Sequence, residues 1–158
     1  MNDSVGAALL KYWRSQPAIE LMPPVTADEI QAFAQKHKVQ LPDEIQKYYL
    51  AVNGFGPAND QDENGFSFWP LARVCRVDAF HGGKWSSDQT NDCFIFADYL
   101  SYSWGYAFRL TPDSAQAPVC IVGTATRNPR WIADSFRAFA DLYIRDDERL
   151  YSANEPDV

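Results

Sequence analysis

The spacing most suggestive of chemistry in this chain is an acidic run that matches the first half of a calcium-binding loop. The run Asp60-Gln-Asp-Glu-Asn-Gly65 follows the pattern D-x-[DN]-x-[DN]-G, in which carboxylate and amide oxygens converge on Ca²⁺. A complete loop needs a bidentate Glu at its twelfth position, where Leu71 stands. A helix should also follow, whereas Phe66-Ser-Phe-Trp69 alternates like a strand. We therefore predict a solvated acidic turn and no metal site.

Nucleophilic catalysis needs a histidine base that is held in place, and the chain has two histidines. His37 falls in the last turn of a predicted helix, where capping is its common role, and His81 precedes Gly82-Gly83 in a polar stretch. The chain has no G-x-S-x-G motif and no P-loop, and two histidines without ligand spacing do not predict zinc. A glycosidase-like carboxylate pair stays open by number alone, but nothing singles one out. We expect no enzymatic activity and no cofactor.

The segment Asp98-Tyr-Leu-Ser-Tyr-Ser-Trp-Gly-Tyr106 joins two predicted strands and carries four aromatic rings around one carboxylate. Aromatic residues in a connecting segment resemble the anchors of a binding hot spot, and Asp98 can pair there with a cation of a partner. If strand alternation runs through the segment, half of the rings, Tyr106 among them, face the core instead. The predicted partner-binding residues are Asp98, Tyr99, Tyr102 and Trp104, with Asp60, Asp62 and Glu63 as a second set.

The charge of the chain bears on its partners. Acidic residues outnumber basic ones 21 to 14, which gives a formal net charge of −7. Because a nucleic-acid binder must neutralise phosphates, direct DNA or RNA binding is not expected. An acidic surface instead steers basic proteins toward it, although net negative charge also serves solubility alone.

The cysteines and the hydropathy pattern bear on location. Cys75, Cys93 and Cys120 are odd in number and lack C-x-x-C spacing, which is typical of buried reduced thiols in a cytosolic protein. We find no signal peptide and no apolar run long enough to cross a membrane. The prediction is a soluble, cytoplasmic protein with no membrane contact; its oligomeric state stays open.

Three helices are predicted in the first third of the chain. The first covers Val5 to Trp13. The second follows a capping box, Thr26-Ala-Asp-Glu29. The third starts at Pro42, stops at Asn53-Gly54, and carries one apolar face. That face comprises Ile45, Tyr48, Tyr49 and Val52.

Strands and a closing helix follow. The predicted strands lie at 65–69, 93–97, 105–110 and 118–122, while residues 71–77 fit a strand or a short helix and stay undecided. Residues 80–92 are expected to form a polar surface loop, a helix is expected from Trp131, and residues 147–158 are expected to be a frayed tail. This order predicts one α+β domain over residues 1–158, an antiparallel sheet with helices packed against one face.

Five short motifs follow one another in a fixed order: the capping-box helix, Leu41-Pro42 with Asn53-Gly54, the step Trp69-Pro70-Leu71, the hairpin of Phe94–Asp98 and Tyr106–Leu110, and Ile132–Phe136 with Phe139. In these motifs the chain resembles the SUKH superfamily, the family of the fungal cell-wall-assembly regulators of the Smi/Knr type, over roughly residues 26–146. Each motif is short, and their order and spacing together are what resemble the family.

The resemblance implies an α+β domain that binds proteins and brings no catalytic residues or cofactor. Many bacterial members look like immunity proteins that neutralise polymorphic toxins, often nucleases, whereas fungal members act as scaffolds. The chain lacks long disordered flanks, so we interpret it as an immunity protein that occludes the active site or substrate channel of a basic toxin domain. The alternatives are a scaffold for an endogenous protein, and a small-molecule binder or hydrolase that uses the aromatic groove.

Overall fold

Four α-helices and a six-stranded antiparallel sheet form the part of the chain that the computed structural model describes, which is residues 4–113, 115–123 and 128–151. The helices are α1 (Val5–Arg14), α2 (Ala27–His37), α3 (Asp43–Ala51) and α4 (Phe136–Ile144). The strands are β1 (Phe66–Phe68), β2 (Cys75–Arg76), β3 (Cys93–Tyr99), β4 (Trp104–Arg109), β5 (Val119–Val122) and β6 (Arg130–Ala133). The sheet order is β1-β3-β4-β5-β6, and β2 also pairs with β3. The predicted α+β fold is confirmed.

Local sequence signals fix the helix ends. The backbone N–H of Glu29 donates to Thr26 Oγ1 at 3.1 Å and that of Thr26 donates to Glu29 Oε1 at 3.3 Å, which is the predicted capping box. Pro42 has ψ 153°, so it precedes the first turn of α3 instead of opening it. Gly54 has φ +68°, and a Cβ there would lie 2.6 Å from the carbonyl oxygen of Phe68. Only glycine fits at this position, but α3 already ends at Ala51 and Val52 is extended, so Gly54 turns the chain after the helix instead of stopping it as predicted.

The main core lies between the α-helices and one face of the sheet. The apolar face predicted for α3, from Ile45 to Val52, is buried there. Trp13 of α1 donates its indole N–H to the hydroxyl of Tyr143 on α4 at 2.8 Å, and Tyr143 in turn donates to Asp62. Because these polar atoms are paired, the Trp13 and Tyr143 rings occupy the core without an orphaned donor. The buried hydroxyls of Tyr48 and Tyr49, by contrast, have no hydrogen-bond partner among the described residues.

The opposite face of the sheet is covered by residues 77–90, which contain two short 3₁₀ helices, Val77–Gly83 and Asp88–Thr90. Phe80 and Trp85 of this segment are buried against the sheet, so the prediction of a surface loop over residues 80–92 is wrong for its middle part. A Cβ on Gly105 would lie 2.8 Å from the Trp85 ring. The Trp85 ring therefore uses the space that this glycine leaves.

Residues 71–77 combine both predicted alternatives, because a 3₁₀ helix (Leu71–Arg73) leads into β2. The helix expected from Trp131 begins only at Phe136, where the Ser135 hydroxyl accepts from the N–H of Ala138 at 3.0 Å. Residues 130–133 pair with β5 instead. Their alternating exposure, with Trp131 outside and Ile132 buried, is that of a strand.

The first residues of the expected frayed tail are folded against the domain. Glu148–Tyr151 form a 3₁₀ helix in which Leu150 is buried, and the Leu150 carbonyl accepts from the Tyr106 hydroxyl at 2.7 Å. Packing and this bond hold the segment against the sheet. The rest of the predicted tail, residues 152–158, lies outside the described residues.

Candidate functional site

The turn between β3 and β4 has an unusual backbone. Leu100, Ser101 and Tyr102 follow one another with φ values of 46°, 51° and 72°. L-residues with a side chain rarely adopt this left-handed region, and each one costs about 1 kcal/mol or more. Strain of this kind persists only where surrounding contacts impose it, and it concentrates at functional sites.

Asp98 is the main anchor of this turn. Its side chain is only 3% exposed. One carboxylate oxygen, Oδ2, accepts from the backbone N–H of Tyr102 at 2.8 Å, and the other, Oδ1, accepts from the indole N–H of Trp69 at 2.8 Å. Burial raises the pKa of Asp98, and the bonds from Trp69 and Tyr102 oppose that rise. In this conformation both oxygens of Asp98 accept from the protein itself, and its pairing with a cation of a partner stays a prediction.

The turn presents two large side chains to solvent. Leu100 is 51% exposed and Tyr102 is 40% exposed. Tyr99 and Trp104 are half-buried and stack on each other with centroids 4.7 Å apart, below the tip of the turn. Among the predicted aromatic contact residues, Tyr102 is therefore the one that protrudes. The sequence reasoning missed Leu100, because an isolated Leu in a polar turn carries no pattern.

Two further residues pack around Tyr102. The Arg73 guanidinium carbon lies 4.2 Å from the centroid of the Trp69 ring and 5.5 Å from that of Tyr102, and Arg73 donates to the Tyr102 hydroxyl. The His81 ring stacks on Phe80 at 4.0 Å and lies 5.8 Å from the Tyr102 ring. Neither Arg73 nor His81 carried a sequence signal for this position, since two separate segments bring them here: the 3₁₀ helix Leu71–Arg73 and the non-helical kink at residues 80–82.

The predicted acidic residues lie beside this turn. Gln61 donates from its side chain to the Ser101 hydroxyl at 3.0 Å, and the Leu100 N–H donates to the Gly65 carbonyl at 2.9 Å, so the loop that carries the second predicted set contacts the turn. Asp60 and Glu63 are exposed, whereas Asp62 is buried. We call Asp60, Glu63, Arg73, His81, Leu100 and Tyr102 the tip surface.

Asp62 supports the acidic loop from within. It accepts from the backbone N–H groups of Asn64 and Phe66, each at 2.9 Å, and from the Tyr143 hydroxyl. Burial raises the pKa of Asp62, while these hydrogen bonds oppose the rise. Its oxygens thus fold the loop, and within residues 4–113, 115–123 and 128–151 no group of three or more metal-ligating side chains was found.

An open cleft of about 580 Å³ lies elsewhere, where β6 meets α4. Arg109, Trp131, Asp134 and Arg145 are among the residues that line it, and the Arg109 guanidinium carbon sits 4.4 Å from the Trp131 centroid. The buried carboxylates with raised pKa values, Asp62 and Asp98, do not line this cleft. A pocket that contains a carboxylate with a raised pKa would favour the hydrolase alternative, and among the described residues this cleft does not join the two.

These features define a single α+β domain that presents an aromatic tip, flanked by carboxylates, at one end of its sheet. The model of the SMI1 / KNR4 family (SUKH-1) matches residues 24–142, which is more than half of the chain, and the chain belongs to that family. The resemblance drawn from the sequence motifs is thereby confirmed. A search of curated protein sequences returned no match. In the described part of the chain, no helix is both long and apolar enough to cross a membrane.

Proposed function

We propose that this SMI1/KNR4-family protein is a non-enzymatic immunity protein that binds a basic toxin domain through the tip surface. It would neutralise a polymorphic toxin, for instance a nuclease, by occluding the active site or the substrate channel. The observation that carries the proposal is the strained turn that holds Leu100 and Tyr102 in solvent. A contact surface explains why two large side chains are held partly in solvent on a backbone that costs free energy.

The arrangement of the tip suits a hot spot. Tyr102 supplies a rigid amphipathic ring at the centre, and Leu100 supplies apolar area beside it. Tyr99 and Trp104 act as a stacked support below the turn, and Asp98 fixes the turn from inside. Because the backbone is already held in place, little conformational entropy is lost when a partner binds.

The charge of the protein favours a basic partner. The net charge is −7, and Asp60 and Glu63 lie exposed within the tip surface. Such a field raises the association rate with a cationic protein and fades as salt screens it. We place this encounter in the cytoplasm, since Cys75, Cys93 and Cys120 are free thiols.

The test measures binding and protection together. The tagged protein is used to capture its partner at low and at moderate salt, and the captured toxin domain is then expressed in cells with and without this protein. We expect Tyr102→Ala to weaken binding by about 2 kcal/mol and to reduce protection, because truncating an aromatic hot-spot residue to Ala costs about that much binding free energy. Raising salt should mainly slow association.

Trp131→Ala is the matched control, because Trp131 is similarly exposed, at 38%, but lies at the β6 edge. Equal losses from both variants, or full affinity in a folded Tyr102→Ala variant, would remove the tip from the proposal. A housekeeping protein as the captured partner, without toxicity of its own, would make this domain a scaffold instead. An association rate that is independent of salt would contradict the steering argument.

A further inference from the structure

Arg73 is a fixed cation in an otherwise acidic and apolar tip surface. It ends the 3₁₀ helix Leu71–Arg73, and its backbone N–H donates to the Pro70 carbonyl at 2.9 Å. The guanidinium carbon lies 4.2 Å from the Trp69 centroid, and one N–H group donates to the Tyr102 hydroxyl. Ring contacts on an Arg reduce the freedom of its side chain and orient its planar fork.

Most of the donors of Arg73 have no acceptor among the described residues. A guanidinium has five N–H donors, and among the described residues the only hydrogen bond of this side chain is the one to Tyr102. No described carboxylate lies within ion-pair distance of it, whereas the neighbouring Arg76 lies 3.3 Å from Asp78. Among the described residues, Asp98 makes no hydrogen bond or ion pair with Arg73, although the charge of Arg73 lies near enough to oppose the rise in the pKa of Asp98. An oriented guanidinium with free donors is a receptor for an anion.

We propose that Arg73 receives a carboxylate side chain of the protein partner, while Leu100 and Tyr102 pack against an apolar residue next to it. This inference rests on the proposed function, because the proposed function places the partner on the tip surface. A carboxylate fits better than a phosphate group, because Asp60 and Glu63 lie in the same surface and a dianion is repelled more strongly than a monoanion.

The long-range field and this contact then have different roles. The net charge of −7 draws a basic protein in, which affects the rate of encounter. At Arg73 the same partner must present an acid, and a cation at that point would be repelled. The pairing would therefore select the orientation of the complex and discriminate among partners that are all basic.

The experiment uses a phage-displayed library of random peptides, panned on the wild-type protein, so it needs no natural partner. The selected peptides are then measured against Arg73→Gln and against the control Arg76→Gln, which removes the same charge from a neighbouring guanidinium that is already paired with Asp78. Thermal unfolding of each variant verifies its fold.

We expect the selected peptides to carry Asp or Glu next to a large apolar residue. They should bind Arg73→Gln about ten- to a hundredfold more weakly than the wild type, and Arg76→Gln with unchanged affinity. Replacing the peptide's Asp or Glu by its amide should cause the same loss on the wild type and no further loss on Arg73→Gln.

Several outcomes would overturn the proposal. The first is that panning selects no binding peptide. The second is that the selected peptides contain no Asp or Glu, and the third is that they bind Arg73→Gln as tightly as the wild type. Displacement by inorganic phosphate but not by acetate, at matched ionic strength, would assign the site to phosphate instead. A failure to find a protected toxin would leave these peptide results standing, so the two proposals fail separately.

Discussion

Replacing Asp98 by Asn keeps the shape of the side chain but removes one of its two acceptors. In the native turn, one oxygen accepts from the Trp69 indole and the other from the Tyr102 backbone, both at 2.8 Å. An amide has one oxygen, so whichever way the substituted side chain turns, one of these donors meets an N–H₂ group. The loss falls at a site that is only 3% exposed.

The expected cost follows from these bonds. A buried hydrogen bond to a charged acceptor contributes about 1.5–3 kcal/mol. Burial raises the pKa of Asp98, so the ionised side chain already carries a desolvation cost from which the neutral amide is spared. We therefore expect the lower end of the range, about 1.5 kcal/mol less free energy of unfolding, or a melting temperature lower by about 3–6 °C for a chain of this size.

Urea unfolding and hydrogen exchange measure the two parts of this argument. The unfolding midpoint reports the total loss, and exchange at the Tyr102 amide reports whether the turn has been released from its anchor. Asp78→Asn is the control, since it removes the same charge from an exposed carboxylate that pairs with Arg76. It should change the free energy of unfolding by no more than about 0.5 kcal/mol. If Asp98→Asn matches the control and Tyr102 keeps its protection, Asp98 does not hold the turn.

Two further predictions concern the second face of the sheet and the titration of His37. Gly105→Ala would place a Cβ 2.8 Å from the Trp85 ring, so we expect the free energy of unfolding to fall by about 1–3 kcal/mol. Adding Trp85→Phe should restore part of this loss. Unfolding curves of the single and double variants check the prediction, and an unchanged midpoint in the single variant would contradict it. Burial, followed by the charges of Lys36 and Arg76, lowers the pKa of His37 below 6.5, which favours its neutral form in the folded state. The stability that His37 contributes is therefore complete above pH 6.5 and declines as pH falls through its folded-state pKa. In the His37→Asn variant this decline should be flatter. An NMR titration that places the pKa of His37 at or above 6.5 would refute the argument.

Local signals explain what the sequence predicts well. The capping box at Thr26 acts through neighbouring backbone atoms, so four residues are enough to specify it. The apolar face of α3 is equally local, because its spacing alone places it toward the core. The helices and most of the strands follow from patterns of this kind.

Long-range contacts explain what the sequence does not predict. β6 is a strand because β5 pairs with it, although Trp131 and Ile132 also fit the helical period of α4. Trp85 is buried because Gly105, on a distant strand, leaves space for its ring. Arg73 joins the tip surface only because Tyr102 adopts a left-handed backbone conformation, which a sequence pattern of Tyr, Ser and Leu does not reveal.

The way the turn is anchored has a consequence for the evolution of binding specificity. Asp98, Trp69 and the Gly65 carbonyl, which accepts from the N–H of Leu100 at 2.9 Å, hold the backbone of the turn from below. These anchoring hydrogen bonds end on backbone atoms of the turn, and Leu100 and Tyr102 are 51% and 40% exposed. Substitutions at these two positions can thus change what the surface recognises while the hydrogen bonds that anchor the backbone are kept. The anchor and the recognition element are separable, which lets a lineage follow a changing partner without rebuilding its core.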